Sequence, residues 1–286
     1  SLTDATDLRR ELSRAVLRPE RLDQRVVRLA LPVEEPLSTW VRQVWSLQWT
    51  VLLPPTSTAI IPHPTVHLTV EDGPPGEVRH GHRMPAALLH GVPPRGFSPT
   101  LPPSGWVVGL HLAPGAVRDL MGRPANEWAG RVVPWAQAWP GWELAELYAL
   151  DCPRERAEVL RSMAQQVLGV RTPSADGLLA RRVEELIRTD ERLRSVADLA
   201  DRVGLTPRSL QRLCREHHGV TPRWLLRRAR VLDAHELLSS SDLDVAEIAE
   251  RLGWYDQAHL TRDYTAVTGV PPARLRRALD ADRGDP

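Results

Sequence analysis

The sequence predicts an α+β protein made of a β-rich N-terminal domain and an all-α C-terminal domain, and three observations support this prediction. The first half of the 286-residue chain holds short β-branched stretches and most of the 26 prolines, which suit turns and strand edges better than helix interiors. From residue 178 onward the apolar residues recur with helical period. Between the halves, residues rich in Thr, Pro, Ser, Asp and Gly indicate a linker. We therefore divide the chain into residues 1–170, 171–177 and 178–286.

Strands in the first half are predicted where β-branched residues alternate between turn residues. These stretches are VVRLAL (26–31), STAIIPHPTVHLTVEDG (57–73) and GWVVGLHLAPG (105–115). Apolar spacing predicts short helices at 36–46, 114–121 and 125–129, and a longer helix at 153–169. Sheet and helices together favour a mixed domain in this half.

Composition excludes several classes of protein. Apolar residues make up 42% and charged residues 26% of the chain, which is typical of a globular protein, and no apolar run approaches the roughly 20 residues that span a bilayer. The sequence SLTDATDLRR lacks the features of a secretion signal, so we expect a cytoplasmic protein. Cys152 and Cys214 lie far apart in the sequence and predict neither a disulfide framework nor a zinc finger.

An internal repeat organises the second half, for which seven helices are predicted. VADLADRVG (196–204) aligns with VAEIAERLG (245–253) at an offset of 49 residues, and the similarity continues from 210–225 to 260–275 at an offset of 50. Each copy has a capped helix, a turn that begins at Gly204 or Gly253, and a second helix, which is the order of a helix-turn-helix motif. We expect the motifs at about 195–218 and 244–268.

The second helix of each motif has residues suited to reading DNA. Arg208, Gln211 and Arg212 share one face of the first such helix, because spacings of three and four residues align on a helix. Arginine pairs with guanine and glutamine with adenine in the major groove. The second copy offers a similar but weaker set in Gln257, His259 and Arg262. Residues 206–230 hold seven arginines against one acid, Glu216, a local charge of +6 that favours binding to phosphates.

These segments resemble the AraC/XylS family of bacterial regulators from about residue 178 to 279. The resemblance lies in LADRVGLTPRSLQRLCREHHGVTPRWLLRRARVLDAHELL and IAERLGWYDQAHLTRDYTAVTGVPPARLRR. It implies a sequence-specific transcriptional regulator whose two motifs are held by a linker helix at 222–238 and enter successive major grooves of an operator. It also adds Ala258 to the base-reading positions. Ala258 cannot form a hydrogen bond, so the second helix either reads a thymine methyl group or mainly contacts phosphates.

Hydroxyl and arginine side chains around both motifs are expected to bind the DNA backbone without reading its sequence. We expect the Arg228→Ala substitution, for example, to weaken binding to all sequences alike. The predicted phosphate-binding residues are Thr206, Ser209, Arg215, Arg227, Arg228, Thr261 and Arg274.

The same resemblance implies an effector-sensing or dimerising role for residues 1–170, often with a cupin-type barrel. The stretches IIPHPTVHLTVEDG and GRPANEWAGRVVPW (122–135) resemble the sensor halves of a little-characterised subgroup, which names no ligand. Eight of the ten tryptophans lie between residues 40 and 142 and either form the core or line an apolar pocket. Our candidate pocket for a small-molecule effector contains His63, His67, Trp106, His111, Trp45 and Trp49.

His80 and His82 form an HxH pair such as cupin enzymes use to bind metal. A carboxylate should follow the pair, yet residues 83–91 contain no Asp or Glu, so we predict an exposed turn with no metal and no cofactor. No constellation of catalytic residues appears, and an enzyme is disfavoured.

Two alternatives to a ligand-responsive regulator stay open. One is a ligand-independent DNA-binding protein whose N-terminal domain only dimerises, and the other is a cupin-like metalloenzyme fused to a DNA anchor. A homodimer and a contact with RNA polymerase are compatible with the sequence, which specifies neither. It also leaves open whether the protein activates or represses.

Overall fold

The computed structural model describes residues 26–50, 61, 63–96, 102–190 and 192–283. Residues 57–60 and 62 of the predicted strand segment at 57–73 lie outside the described residues, as do residues 1–25 of the predicted N-terminal domain. Within the described part of the chain, no helix is long and apolar enough to cross a membrane.

The described residues of the N-terminal half contain eight strands. They are β1 (Val26–Leu31), β2 (Val41–Thr50), β3 (His67–Asp72), β4 (Val78–Arg79), β5 (His82–Arg83), β6 (Ala86–His90), β7 (Ser104–Leu112) and β8 (Val132–Pro134). Six of them form one antiparallel sheet in the order β1-β2-β7-β3-β6-β8, and β4 pairs with β5 in a hairpin. The strands predicted at 26–31 and 105–115 are confirmed, and β3 occupies the described end of the segment at 57–73.

The helices of the described residues are α1 (Ala116–Met121), α2 (Trp135–Ala138), α3 (Pro153–Leu168), α4 (Ala175–Thr189), α5 (Val196–Arg202), α6 (Pro207–His218), α7 (Pro222–Ser240), α8 (Val245–Arg251), α9 (Gln257–Thr268) and α10 (Pro272–Arg283). The seven helices from α4 to α10 match the number predicted for the C-terminal half. Short 3-10 turns lie at Leu37–Thr39, Ala125–Glu127 and Ala145–Ala149. The mixed α+β fold is therefore as predicted.

The helix predicted at 36–46 is wrong. Only a 3-10 turn at Leu37–Thr39 is helical there, and β2 begins at Val41. The stretch VRQVWSLQWT is rich in β-branched and aromatic residues, which pack well on a pleated sheet. Pairing of β2 with β1 and β7 on its two sides overrides the weak helical spacing of the apolar residues.

The predicted linker is largely ordered. Helix α4 begins at Ala175, within the segment 171–177, and its N-cap Ser174 accepts a hydrogen bond from the backbone N–H of Gly177 (2.9 Å). The carboxylate of Asp119 accepts from the backbone N–H and the hydroxyl of Ser174 (2.8 and 2.7 Å). These contacts attach the start of α4 to α1 of the N-terminal half.

The first helix-turn-helix unit shares its core with the sheet domain. One hydrophobic cluster runs from Leu31 through the buried strands and α3 to Leu210, Leu213 and Trp224. A separate cluster contains Val231, Ile248 and Leu260 of the second unit, together with Ile61. The boundary between the two clusters therefore falls inside α7, between Leu226 and Val231 and well beyond the predicted linker.

Polar contacts join the same two parts. Arg42 lies at an irregularity in the β2·β7 register and makes a bidentate ion pair with Glu184 of α4 (2.8 and 2.6 Å). The ring of His217 in α6 bonds the Gly115 carbonyl (3.1 Å), and the Trp224 indole N–H donates to the Pro94 carbonyl (2.9 Å). The sheet domain and the first helix-turn-helix unit thus pack as one body.

Candidate nucleic-acid interface

The first helix-turn-helix unit is built by local signals. Ser195 and Asp198 form a capping box at the start of α5, in which each side chain binds the other's backbone N–H. Gly204 has a φ of +67°, a left-handed conformation that glycine adopts without steric cost, and it turns the chain toward α6. Thr206 then accepts from the Ser209 N–H and Pro207 occupies the first turn of α6. These residues fix where the second helix of the unit begins.

The second unit repeats this construction. Asp244 and Glu247 form the capping box of α8, and Gly253 has a φ of +76°. Asp256 caps α9 by accepting from the His259 backbone N–H (2.6 Å). The internal repeat in the sequence is therefore confirmed as a repeat in structure.

The base-reading residues predicted on α6 lie together on its exposed face. Arg208, Gln211 and Arg212 are all exposed, whereas Leu210 and Leu213 of the same helix are buried. Arg215 is exposed one turn further along that face. The helix therefore presents a row of guanidinium and amide groups, which are the kinds of group that form hydrogen bonds with base edges and phosphates.

On α9 the corresponding residues are less uniform. Gln257, Ala258 and Arg262 are exposed, but His259 is half-buried and its Nε2 lies 3.5 Å from a carboxylate oxygen of Asp263. The same carboxylate accepts from the indole N–H of Trp254 (3.0 Å). His259 is thus partly committed to contacts within the unit, so α9 offers fewer free hydrogen-bonding groups than α6.

The structure corrects one of the predicted phosphate contacts. Arg228 is only 4% exposed in α7 and faces the buried rings of His63 and His111, so its guanidinium cannot reach a phosphate in this conformation. The count of arginines in residues 206–230 does not show which of them are exposed, and α7 is packed on several sides. Arg227 is half-buried 3.8 Å from Asp263. Thr206, Ser209, Thr261 and Arg274 lie at least partly exposed around α6, α9 and α10.

Segments of the N-terminal half lie beside both α6 and α9. Pro124 and Asn126 line a cleft together with Arg208, Gln211, Arg212, Arg215 and Glu216 of α6. Arg95 and Gly96 line a second cleft with Thr261, Arg262 and Thr265 of α9, and the Gly96 N–H donates to the Val267 carbonyl (2.5 Å). The sheet domain therefore lies where it can affect access to the exposed faces of α6 and α9.

Four of the six predicted pocket residues form one cluster on a single face of the sheet. Gln43, His111, His67 and His90 lie opposite one another in a row across β2, β7, β3 and β6, and directly opposed residues share a face. The rings of His63 and His67 lie 4.6 and 3.8 Å from that of His111, and Trp45 lies 6.2 Å from both His67 and His111. We call Gln43, Trp45, His63, His67 and His111 the histidine cluster.

The other two predicted pocket residues lie elsewhere. Trp49 is on the same face of the sheet, two residues beyond Leu47 on β2, where its ring packs against Arg79. Trp106 is on the opposite face, because side chains alternate along a strand and Trp106 is an odd number of residues from His111 on β7. There its ring is stacked under the guanidinium of Arg156 in α3 (4.1 Å) and beside Tyr148 (5.8 Å). Trp106 is therefore a core residue, and its assignment to the pocket is wrong.

The histidine cluster is buried enough to shift its protonation. Removal from water, together with the nearby positive charges of Arg228 and Arg42, holds the pKa of His63 well below its ordinary value. Burial and the neighbouring His63 do the same for the pKa of His111, and burial with the neighbouring His111 does so for that of His67. At neutral pH the three rings are uncharged and can donate or accept a hydrogen bond.

The predicted exposed turn at the HxH pair is present, but the two histidine rings contact different parts of the protein. His80 and Gly81 connect β4 to β5, and His80 is exposed. The His82 ring bonds the Val132 carbonyl on β8 (3.1 Å). His80 instead lies beside His90, with ring centroids 4.9 Å apart. Sequence reasoning that treated His80 and His82 as partners therefore missed the neighbour that the fold provides.

Two family models match separate parts of the chain. Residues 199–278 match a family model described as a helix-turn-helix domain, and residues 30–134 match one described as a domain of unknown function. The chain is 36% identical over 83 residues to the HTH-type transcriptional activator RhaS of Escherichia fergusonii and 31% identical over 88 residues to the HTH-type transcriptional regulator ExsA of Pseudomonas aeruginosa. The matches cover 29% and 31% of this chain, and the chain spans 30% and 32% of the length of those relatives.

Two solved structures are similar to different shares of the chain. The DNA-binding domain of AdpA, solved in complex with a target DNA, is 31% identical and covers 38% of this chain and 97% of that one, with a TM-score of 0.34. ToxT from Vibrio cholerae is 13% identical over 82% of this chain and 97% of that one, with a TM-score of 0.42.

Two capped helix-turn-helix units joined by one long helix define a bipartite DNA-binding domain. The domain at the C-terminus of this chain is of the AraC type, as the sequence resemblance predicted.

Proposed function

We propose that this chain is a sequence-specific transcriptional regulator that binds double-stranded DNA through α6 and α9. The observation that carries the proposal is the pair of matching units, each with an exposed reading face, of which α6 presents Arg208, Gln211 and Arg212. Exposed arginine and glutamine side chains on a helix that fits the major groove can form bidentate hydrogen bonds with guanine and adenine. The first unit reads most of the sequence, and the second mainly sets the register.

Two substitutions on α6 should distinguish a residue that reads bases from one that binds phosphates. We expect Arg212→Ala to reduce binding to the preferred duplex by about 1–3 kcal/mol, roughly 5- to 150-fold, with a smaller loss on random DNA, because a base contact is removed. Arg215→Ala should weaken binding to both duplexes alike. It should also reduce the slope of the logarithm of the binding constant against the logarithm of the salt concentration, by the contribution of about one phosphate contact. Fluorescence anisotropy on duplexes selected from a random pool, with random DNA beside them, measures both effects.

Arg215→Ala is the matched control, since it removes the same exposed group one turn along α6. If Arg212→Ala lost the same factor on selected and random DNA, Arg212 would not be a base-reading residue. If neither the native chain nor the variants distinguished selected from random duplexes, the proposed function would fail.

The proposal includes modulation by a small polar molecule bound at the histidine cluster. Three buried polar atoms there have no hydrogen-bond partner among the residues that the structure describes: Gln43 Oε1, Trp45 Nε1 and His63 Nε2. A buried polar group without a partner costs about 1–3 kcal/mol, so native proteins usually satisfy such groups with protein, water or ligand. A donor, an acceptor and an imidazole in one apolar setting suit a ligand with both kinds of group.

The N-terminal half can transmit such binding because it packs on the first reading helix. Gly219, which ends α6, has a φ of +79°, and a Cβ atom there would lie 3.0 Å from the Ala125 carbonyl oxygen. The turn that contains Ala125 also carries Asn126 and follows Pro124, both beside the reading face. Binding that moves this turn therefore alters access to α6.

A comparison of two glycines tests this coupling. Gly269 ends α9 with the same left-handed backbone, φ +76°, but a Cβ there meets nothing within 4 Å. Alanine at either site costs about 1–2 kcal/mol through the backbone, and only Gly219→Ala pushes the Ala125 turn away. We expect Gly219→Ala to bind the preferred duplex roughly fivefold more tightly than Gly269→Ala, a coupling of about 1 kcal/mol.

Anisotropy titrations of the two variants give the answer once both are known to be folded by circular dichroism. Equal affinities, or a weaker affinity for Gly219→Ala, would show that the Ala125 turn does not limit DNA binding.

A further inference from the structure

Three side chains meet beside the histidine cluster, on the same face of the sheet. They are Glu71 of β3, His80 of the β4–β5 turn and His90 of β6, and one ligand atom from each lies within 4.8 Å of the others. Glu71 Oε1 and His90 Nε2 are 3.0 Å apart. We propose that Glu71, His80 and His90 bind a divalent transition-metal ion.

The sheet fixes two of the three ligands. Glu71 lies opposite Ala86, and His90 lies opposite His67 on the same pair of strands. Both side chains point to one face, because Glu71 is an even number of residues from His67 along β3 and His67 lies directly opposite His90. Glu71 is only 3% exposed, so its carboxylate has little freedom to turn away from His90.

The third ligand is held by an unusual turn. His80 and Gly81 are the two central residues of the β4–β5 hairpin, with φ of +53° and +81°. Two-residue hairpin turns with both φ positive strongly favour Asn-Gly. A histidine in this conformation carries a backbone cost, and the turn directs its ring toward His90, perpendicular to that ring at 88°. The requirements of the turn therefore do not explain why a histidine occupies this position.

Neighbouring side chains hold the carboxylate by hydrogen bonds, as residues next to the ligands of metal sites do. Arg79 donates to the second oxygen of Glu71 (3.1 Å), and the Thr69 hydroxyl donates to the first (2.7 Å). Such contacts hold a ligand in position and tune its affinity.

The ligand set indicates the class of ion. Two imidazoles and one carboxylate suit Zn²⁺, Ni²⁺, Co²⁺ or Fe²⁺, whereas Mg²⁺ and Ca²⁺ prefer oxygen ligands alone. Three protein ligands leave a coordination position for water or another small ligand. Burial decreases from Glu71 through His90 to His80, so an ion can enter from the exposed hairpin side.

This inference differs from the HxH interpretation of the sequence. There the carboxylate was sought after His80 and His82, whereas Glu71 precedes His80 by nine residues, and His82 bonds the Val132 carbonyl instead. The inference does not rest on the proposed DNA-binding function.

The test is titration of the full chain, first stripped with EDTA, with Zn²⁺ by calorimetry and with Co²⁺ by absorption spectroscopy. We expect one ion per chain and visible bands from Co²⁺ bound to nitrogen and oxygen ligands. His90→Gln and Glu71→Gln should weaken binding by at least about 100-fold. His80→Asn should weaken it about tenfold or more while leaving the metal-free chain at least as stable, because Asn suits the turn.

His82→Gln is the matched control, two residues from His80 on the same hairpin, and should bind both ions like the native chain. The proposal is overturned if the native chain shows no saturable binding of one ion, or if His80→Asn binds as tightly as the native chain. It is also overturned if His82→Gln loses as much affinity as His80→Asn. His80→Asn keeps the test decisive even if a variant at the buried Glu71 fails to fold.

Discussion

Leu210→Ala and Leu260→Ala, which occupy matching positions of the repeat, are expected to destabilise different parts of the molecule. Both side chains are fully buried, and deletion of a buried leucine side chain to alanine costs about 2–5 kcal/mol. Leu210 belongs to the core that the first unit shares with the sheet domain, whereas Leu260 belongs to the separate core of the second unit. Leu210→Ala should therefore lower the stability of the strands as well as of α6.

Hydrogen exchange read by mass spectrometry resolves the two effects. In Leu260→Ala, peptides from α8 and α9 should exchange faster while peptides from β3, β7 and α3 keep their protection. In Leu210→Ala, peptides from those strands and from α3 should lose protection together with α6. If both variants accelerated exchange in the same peptides, the division into two cores would be incorrect.

The second large effect is a loss of stability on mild acidification. Burial lowers the pKa of His63, His67 and His111, and it lowers that of His218 to about 4. In the unfolded chain these rings take up a proton near pH 6.5, while the folded chain keeps them neutral to lower pH. The unfolded state then binds more protons, so the free energy of unfolding falls as the pH falls below about 6.5.

Each such histidine contributes about 1.4 kcal/mol between pH 7.5 and 5.5, and four together contribute about 5 kcal/mol. This is as large as the whole stability of many domains. The positive charges of Arg42 and Arg228 face the cluster and oppose protonation further. Urea unfolding followed by tryptophan fluorescence at several pH values measures the change in the free energy of unfolding. His111→Gln should make this change smaller by about 1.4 kcal/mol, the contribution of one histidine. A midpoint that did not change over this range would contradict the burial of the cluster.

The DNA-binding half could be predicted from sequence because its signals are local. Each unit repeats the same cap, glycine turn and second helix, and the exposed positions of α6 follow from spacings of three and four residues. Arg228 could not be predicted in the same way, because its burial depends on how α7 packs against the sheet domain and against His63.

The sheet half was harder because its features depend on register. The stretch WVVGLHL of β7 is buried on both faces, so it lacks the alternation that would have placed Trp106 and His111 on opposite sides. Glu71, His80 and His90 come together only through the pairing of β3 with β6 and through a two-residue turn. Neither the spacing of these residues nor the HxH pattern indicates that meeting.

Methylation interference on a selected duplex tests the central claim most directly, because methylation of guanine N7 blocks the major-groove contacts that arginine makes. With the full chain, the account predicts two patches of interference on one face of the DNA, about one helical turn or roughly 10 base pairs apart, the stronger one belonging to α6. A single patch, or two patches of a different spacing, would contradict reading by two units held in one domain.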